Sequence, residues 1–124
     1  MTANASETTA RSLNELRDAL RMFAAERDWD QFHSPKNLAI ALTVEAGELL
    51  EHFQWLTEEQ SKSLAPDKLE LIRQELADVL LYLVRLADKL DVDLADAAIR
   101  KITLNADKYP AAKARGSSKK YTEL

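Results

Sequence analysis

Four carboxylates stand where the surrounding sequence is apolar. Glu45 and Glu48 lie in Val44-Glu45-Ala46-Gly47-Glu48-Leu49-Leu50, and Glu75 and Asp78 in Gln74-Glu75-Leu76-Ala77-Asp78-Val79-Leu80. A spacing of three places both members of each pair on one face of a helix, one turn apart, so each helix would present a prong of two oxygen ligands. Acids flanked by Ala, Leu and Val resist desolvation and repel one another unless something cationic sits between them. Oxygen-only ligation, in a chain with no cysteine and two histidines, is the chemistry of a hard cation, Mg²⁺ first and Mn²⁺ next, completed by water and a substrate's phosphates. The ordinary alternative for one such pair is a solvated helix face or a set of ion-paired acids.

The elements that must position these prongs read as helices throughout. The chain has 124 residues, two glycines and three prolines, with no Asn-Gly or Asp-Gly turn and no sustained alternation, which predicts an all-α, four-helix-bundle-like domain over residues 12–110. Residues 1–11 read as a disordered leader and 111–124 as a basic tail. Ser12 and Glu15 form a capping box for a first helix reaching about Arg27. Asp28-Trp29-Asp30-Gln31-Phe32-His33 follows, and its aromatics either plug the bundle end or line a ligand site. Ser34 and Pro35 start a second helix whose apolar stripe runs through Leu38, Leu42, Glu45, Leu49, Phe53 and Leu56, with Glu45 on the stripe itself. Gly47 there suits close approach by a neighbouring helix or ligand, and both His52 and Trp55 admit packing or ligand roles.

Thr57-Glu58-Glu59-Gln60 makes a second capping box. From Pro66, Leu69, Ile72, Leu76, Val79, Leu83, Leu86 and Leu90 step by threes and fours as an uninterrupted seam, with Glu75, Asp78, Tyr82 and Arg85 on the adjoining line. Asp93 caps a last helix on which Lys101 and Asn105 share a face, and Tyr109-Pro110 ends it. A net charge of −4 argues against a general nucleic-acid binder, although Lys108, Lys113, Arg115, Lys119 and Lys120 make the C-terminal end basic. With no cysteine, no signal-like leader and no apolar run of about 18 residues, the expected setting is cytoplasmic, away from membranes. Helices of this length in so small a chain carry apolar residues on more than one face, which predicts a homo-oligomer, a tetramer of paired dimers or else a dimer.

With these elements laid out, the sequence resembles the MazG-like all-α nucleoside triphosphate pyrophosphohydrolases, and within them the dCTP-hydrolysing branch. The resemblance rests on residues 26–33, Asn37-Leu38, the two acid pairs, Phe53-Gln54-Trp55, Asn105, Tyr109-Pro110 and the ending Lys119-Lys120-Tyr121-Thr122-Glu123-Leu124. It implies hydrolysis of a nucleoside triphosphate, dCTP or a 5-modified dCTP, to the monophosphate and pyrophosphate, serving nucleotide-pool sanitation. Glu45, Glu48, Glu75 and Asp78 would be both the Mg²⁺ ligands and the catalytic acids, with Glu48 the preferred general base because Glu45 lies deeper on the apolar stripe. Trp29, Asp30, Gln31, Phe32, His33, Trp55 and Tyr82 would meet base and sugar, and Lys101, Asn105, Tyr109, Lys119 and Lys120 the phosphates. The sequence departs from the branch at Leu20, where cytosine-selective members place a histidine. A ferritin-like di-iron bundle would need Glu-x-x-His pairs, which Glu51 and Asp78 replace here. A non-catalytic helical interaction module is the alternative, needing the seam but not the acids.

Overall fold

Capping chemistry sets the helix starts. In this computed structural model, which describes residues 10–124, Ser12 Oγ accepts the Glu15 amide at 3.1 Å and α1 runs Leu13–Glu26. The reciprocal arm of the expected box is shifted by one residue, since Glu15 Oε2 accepts the backbone N–H of Arg11 at 3.2 Å. The expected disordered leader falls, for residues 1–9, outside the described residues. Ser34 Oγ accepts the Asn37 amide at 3.2 Å, Pro35 occupies the first helical position, and α2 runs Pro35–Glu51.

α2 ends five residues short of the expected Leu56. Phe53 and Gln54 both donate their amides to Leu50 O, at 2.8 and 2.9 Å, closing a turn. The capping box at Thr57 keeps the helix from running further: Thr57 Oγ1 accepts from the Gln60 amide at 3.1 Å, and Gln60 Oε1 accepts from the Thr57 amide at 2.9 Å. An N-cap needs extended backbone, which Thr57 adopts (φ −73°, ψ 165°), so the chain leaves the helix before it and opens the short α3, Glu58–Ser61. Pro66 then begins α4, Pro66–Lys89. Helix α4 packs against both α2 and α1.

The chain forms two compact units, one ending at Asp91 and one spanning Val92–Leu124. Within the first, Ala24, Leu38, Ile72, Val84 and Ala87 are the buried apolar side chains among the described residues. The expected seam on α4 is turned inward only in part: Ile72 is buried, but Leu69, Leu76, Leu83 and Leu90 are exposed. Helical periodicity identifies an apolar stripe without naming the neighbour that covers it. Gly47 has nothing within 4 Å of where a Cβ would stand, so no protein group approaches it. The second unit holds α5, Leu94–Lys108, capped by Asp93 Oδ1 accepting the Asp96 amide at 3.0 Å, then α6, Ala111–Ala114, and a 3₁₀ turn, Tyr121–Glu123. Tyr109 and Tyr121 meet edge to face there, with centroids 6.0 Å apart. No described helix is long and apolar enough to cross a membrane.

Leu38 is 1% exposed and is the largest fully buried side chain described, so Leu38→Ala should destabilise the fold by about 2–5 kcal/mol. Denaturant unfolding of the two proteins side by side checks this. A loss under about 0.5 kcal/mol, the size of a surface change, would place the packing centre elsewhere.

Candidate active site

The pocket is made by how α1 ends. Trp29 N–H donates to Ala24 O at 2.9 Å and Asp28 N–H to Ala25 O at 3.2 Å, the paired bonds of a Schellman motif, with Asp28 in the left-handed region at φ 54°. Aspartate tolerates that conformation better than most side chains. The Gln31 amide secures it, donating to the carbonyl oxygen and Oδ2 of Asp28 at 3.1 and 3.0 Å. The reversal folds Trp29 back on its own helix, where it meets Phe23 edge to face at 5.6 Å. His33 stands 6.2 Å from Trp29 in a similar arrangement. Together Leu20, Phe23, Ala24, Trp29, His33, Asp78, Leu81, Tyr82 and Arg85 line a pocket of about 230 Å³.

Helices α2 and α4 supply the charge. Carboxylate oxygens of Glu45, Glu48 and Glu75 all lie within 4.8 Å of one another. Glu45 Oε2 and Glu75 Oε2 are closed off from water and carry no hydrogen bond, a costly state for two anionic oxygens. Protonation is one relief. The Glu45 pKa is pushed up to about 7, chiefly because protonated Glu45 would donate to Glu75, with burial and then Glu48 adding to the effect. Glu75 is raised as well: a proton donated by Glu45 would favour its anion, but burial and Glu48 outweigh that. A cation is the other relief. Three converging oxygen ligands with two unpartnered atoms fit a divalent hard cation, with Glu45, Glu48 and Glu75 as its holders. Asp78 lies outside that trio and lines the pocket, one turn along α4 from Glu75.

A second charged group forms the pocket's inner wall. Arg85 is buried and pairs with Asp30 and, at 3.5 Å, with Asp88. Lys89 Nζ reaches Asp30 at 3.0 Å, and Arg21 of α1 grips both oxygens of Asp88 at 2.5 and 2.8 Å. The hydrogen bond from Lys89, ahead of the charge of Arg85, holds the Asp30 carboxyl below its usual range; Arg21 does the same for Asp88.

Of the residues expected to bind substrate, Trp29, His33 and Tyr82 line the pocket. Asp30 serves the ion pairs and Gln31 the turn, while Asn37 Nδ2 donates to Phe32 O at 3.0 Å and the Phe32 ring stays exposed. Trp55, at 86% exposed, stands outside the pocket lining. Lys101, Asn105, Tyr109, Lys119 and Lys120 belong to the second unit. No site role follows from the sequence for Arg85, Phe23, Ala24 or Leu81. Arg85 carried a signal, sharing a helical line with Glu75, Asp78 and Tyr82.

The sequence signature of the MazG-like family matches residues 40–124. The chain belongs to the MazG-like family. Human dCTP pyrophosphatase 1 is 48% identical over 115 residues, which cover 91% of this chain and 68% of that protein. The mouse dCTP pyrophosphatase 1 is 47% identical over the same shares. Among solved structures, a pyrophosphatase from Archaeoglobus fulgidus DSM 4304 superposes with a TM-score of 0.70 at 37% identity, covering 84% of this MazG-like chain and 97% of its own.

The raised Glu45 pKa sets a pH dependence. A carboxyl whose folded pKa exceeds its unfolded one contributes stability below the unfolded value, and loses it as pH rises through the folded value. Metal-free protein should therefore lose stability as pH climbs from 4.5 through about 7. Glu45→Gln should flatten that slope, and a saturating divalent cation should raise the parent's unfolding temperature most above it. Thermal unfolding across pH in EDTA reads this directly; a flat parent profile would mean the three carboxylates do not interact.

Proposed function

We propose that this MazG-like protein converts dCTP, or a 5-modified dCTP, to the monophosphate and pyrophosphate with Mg²⁺, or Mn²⁺ in its place. The chain is a nucleoside triphosphate pyrophosphohydrolase, as its dCTP pyrophosphatase and pyrophosphatase relatives are named. The observation that carries the finer reading is the convergence of Glu45, Glu48 and Glu75 on one point, with two oxygens left without partners, while Asp78 and Tyr82 of the same helix α4 line an aromatic pocket.

Mg²⁺ held there would neutralise phosphate charge and lower the pKa of the attacking water. Glu45 and Glu75 hold the cation side of the triphosphate, and Glu48 takes the proton of the water that attacks at the α-phosphorus, so that pyrophosphate leaves. Trp29 and Tyr82 present flat faces to a base, and the apolar lining from Leu20, Ala24 and Leu81 excludes water around it. A helical interaction module without catalysis would leave the carboxylate convergence without a purpose.

The protein is further read as a homo-oligomer, a tetramer by preference. Within the first unit Met22, Ile40, Val44, Leu50 and Leu76 are all more than half exposed, apolar side chains that a neighbouring copy would cover. Light scattering at micromolar concentration should exceed the 14.0 kDa of one chain; that single-chain mass would end the idea.

Pyrophosphate and dCMP should appear together from dCTP only when Mg²⁺ is added. Glu48→Gln should lose nearly all turnover, since an amide is a poor Mg²⁺ ligand and no base, while keeping its fold. In EDTA it should unfold at or above the parent's temperature, and Mg²⁺ should reverse that order. Release of orthophosphate and the diphosphate would move the attack point and overturn the proposed reaction.

A further inference from the structure

Arg85 makes one hydrogen bond that its charge does not require. The side chain is 6% exposed, so its guanidinium needs partners, and Asp30 and Asp88 supply both counter-charge and acceptors. Its Nε–H points to neither acid. It donates to Nδ1 of His33 at 3.2 Å. A guanidinium neither accepts nor gives up its proton in a protein, so Nδ1 must carry a lone pair. The single proton of the imidazole then sits on Nε2, and the imidazolium is excluded because its Nδ1–H would oppose the Arg85 N–H.

We infer that Arg85 is a positioning residue that holds His33 as the neutral Nε2–H tautomer, so that the pocket offers its ligand a fixed hydrogen-bond donor and meets an acceptor atom of the base there. This rests on the pocket being the base site of the proposed function. The imidazole lines the pocket, and with Nδ1 committed, Nε2 is the one polar atom it has for a ligand. Half of the eight other lining residues are apolar, Leu20, Phe23, Ala24 and Leu81, beside Trp29, Asp78, Tyr82 and Arg85. A free histidine could donate or accept by changing tautomer; this one cannot. A base presenting an N–H at that point would leave two donors opposed in a water-poor pocket, a penalty that discriminates more sharply than shape. Cytosine presents O2 and N3, two acceptors on one edge, and either can take the His33 Nε2–H.

The charges around His33 act in the same sense. Arg85 and Lys89 of α4 disfavour the imidazolium, as does burial, which is the largest effect; Asp30 opposes them, and the net shift is downward.

The test uses the full chain with Mg²⁺ and dCTP. Nitrogen-15 spectra should show His33 with Nδ1 unprotonated and Nε2 protonated. His52, the other histidine, is identified from a His52→Gln sample. Arg85→Met should mix the two tautomers and raise KM for dCTP about tenfold, the size of one pocket hydrogen bond, at unchanged kcat. His33→Gln supplies an amide N–H donor that needs no tautomer lock. In that background Arg85→Met should cost no further KM, whereas a merely structural Arg85 would cost the same in both. A parent His33 with Nδ1 protonated overturns the inference even if Arg85→Met does not fold, and so do additive KM effects. If the parent hydrolyses no nucleoside triphosphate, the proposed function fails instead, while the tautomer spectrum still decides the role of Arg85.

Discussion

The repulsion among Glu45, Glu48 and Glu75 is the constraint around which the first unit is arranged. Three carboxylates with oxygens inside 4.8 Å cannot all be ionised without a counter-charge, and two of their oxygens are out of reach of water. Helices α2 and α4 are nonetheless packed together, held by apolar burial at Leu38 of α2 and at Ile72, Val84 and Ala87 of α4. An apolar substitution at these acids would relieve the repulsion and lose the donor set. The arrangement fits a site whose affinity for a divalent cation is the counterpart of its cost to the empty fold.

Two charge systems of opposite kind share α4 without neutralising each other. The acids at Glu75 and Asp78 occupy its middle, and Arg85 and Lys89 its last turns. The cations are committed to Asp30 and Asp88, so they form no ion pair with the carboxylate trio among the described contacts. Arg21 of α1 closes the group from the other side, tying α1 to α4 through a half-buried pair. Their benefit is positional: the ion pairs hold the turn at residues 30–32 against α4, and that turn carries His33 into the pocket wall.

The left-handed Asp28 does comparable work with backbone alone. A helix that simply continued past Arg27 would carry Trp29 away from Phe23. The Schellman bonds to Ala24 and Ala25 reverse the chain within two residues, so Trp29, from a connection, joins His33 in walling a pocket whose other sides are helices.

Much of this was legible in the sequence because it depends on local chemistry. The N-caps at Ser12, Ser34, Thr57 and Asp93 and the prolines at positions 35 and 66 marked five of the six α-helix starts, and the spacing of Glu45 with Glu48 placed two ligands on one face whatever the tertiary fold. Partners distant in the chain were not legible. Whether Asp78 joins the trio or the pocket, whether Leu76 is covered or wet, and whether Asp30 meets a base or Arg85 all depend on which helix lies opposite, and periodicity along one helix carries no information about its neighbour. One boundary also differs: the apolar stripe predicts α2 as far as Leu56, but the chain turns after Glu51, through the amides of Phe53 and Gln54 on Leu50 O, and leaves Trp55 exposed. Residue types and spacing thus determined the helices and the acid prongs, while only the packing of α1 and α2 on α4 decided which of those acids converge and that Arg85 stands behind His33, because contacts between residues more than fifty apart are set by burial and charge across the fold.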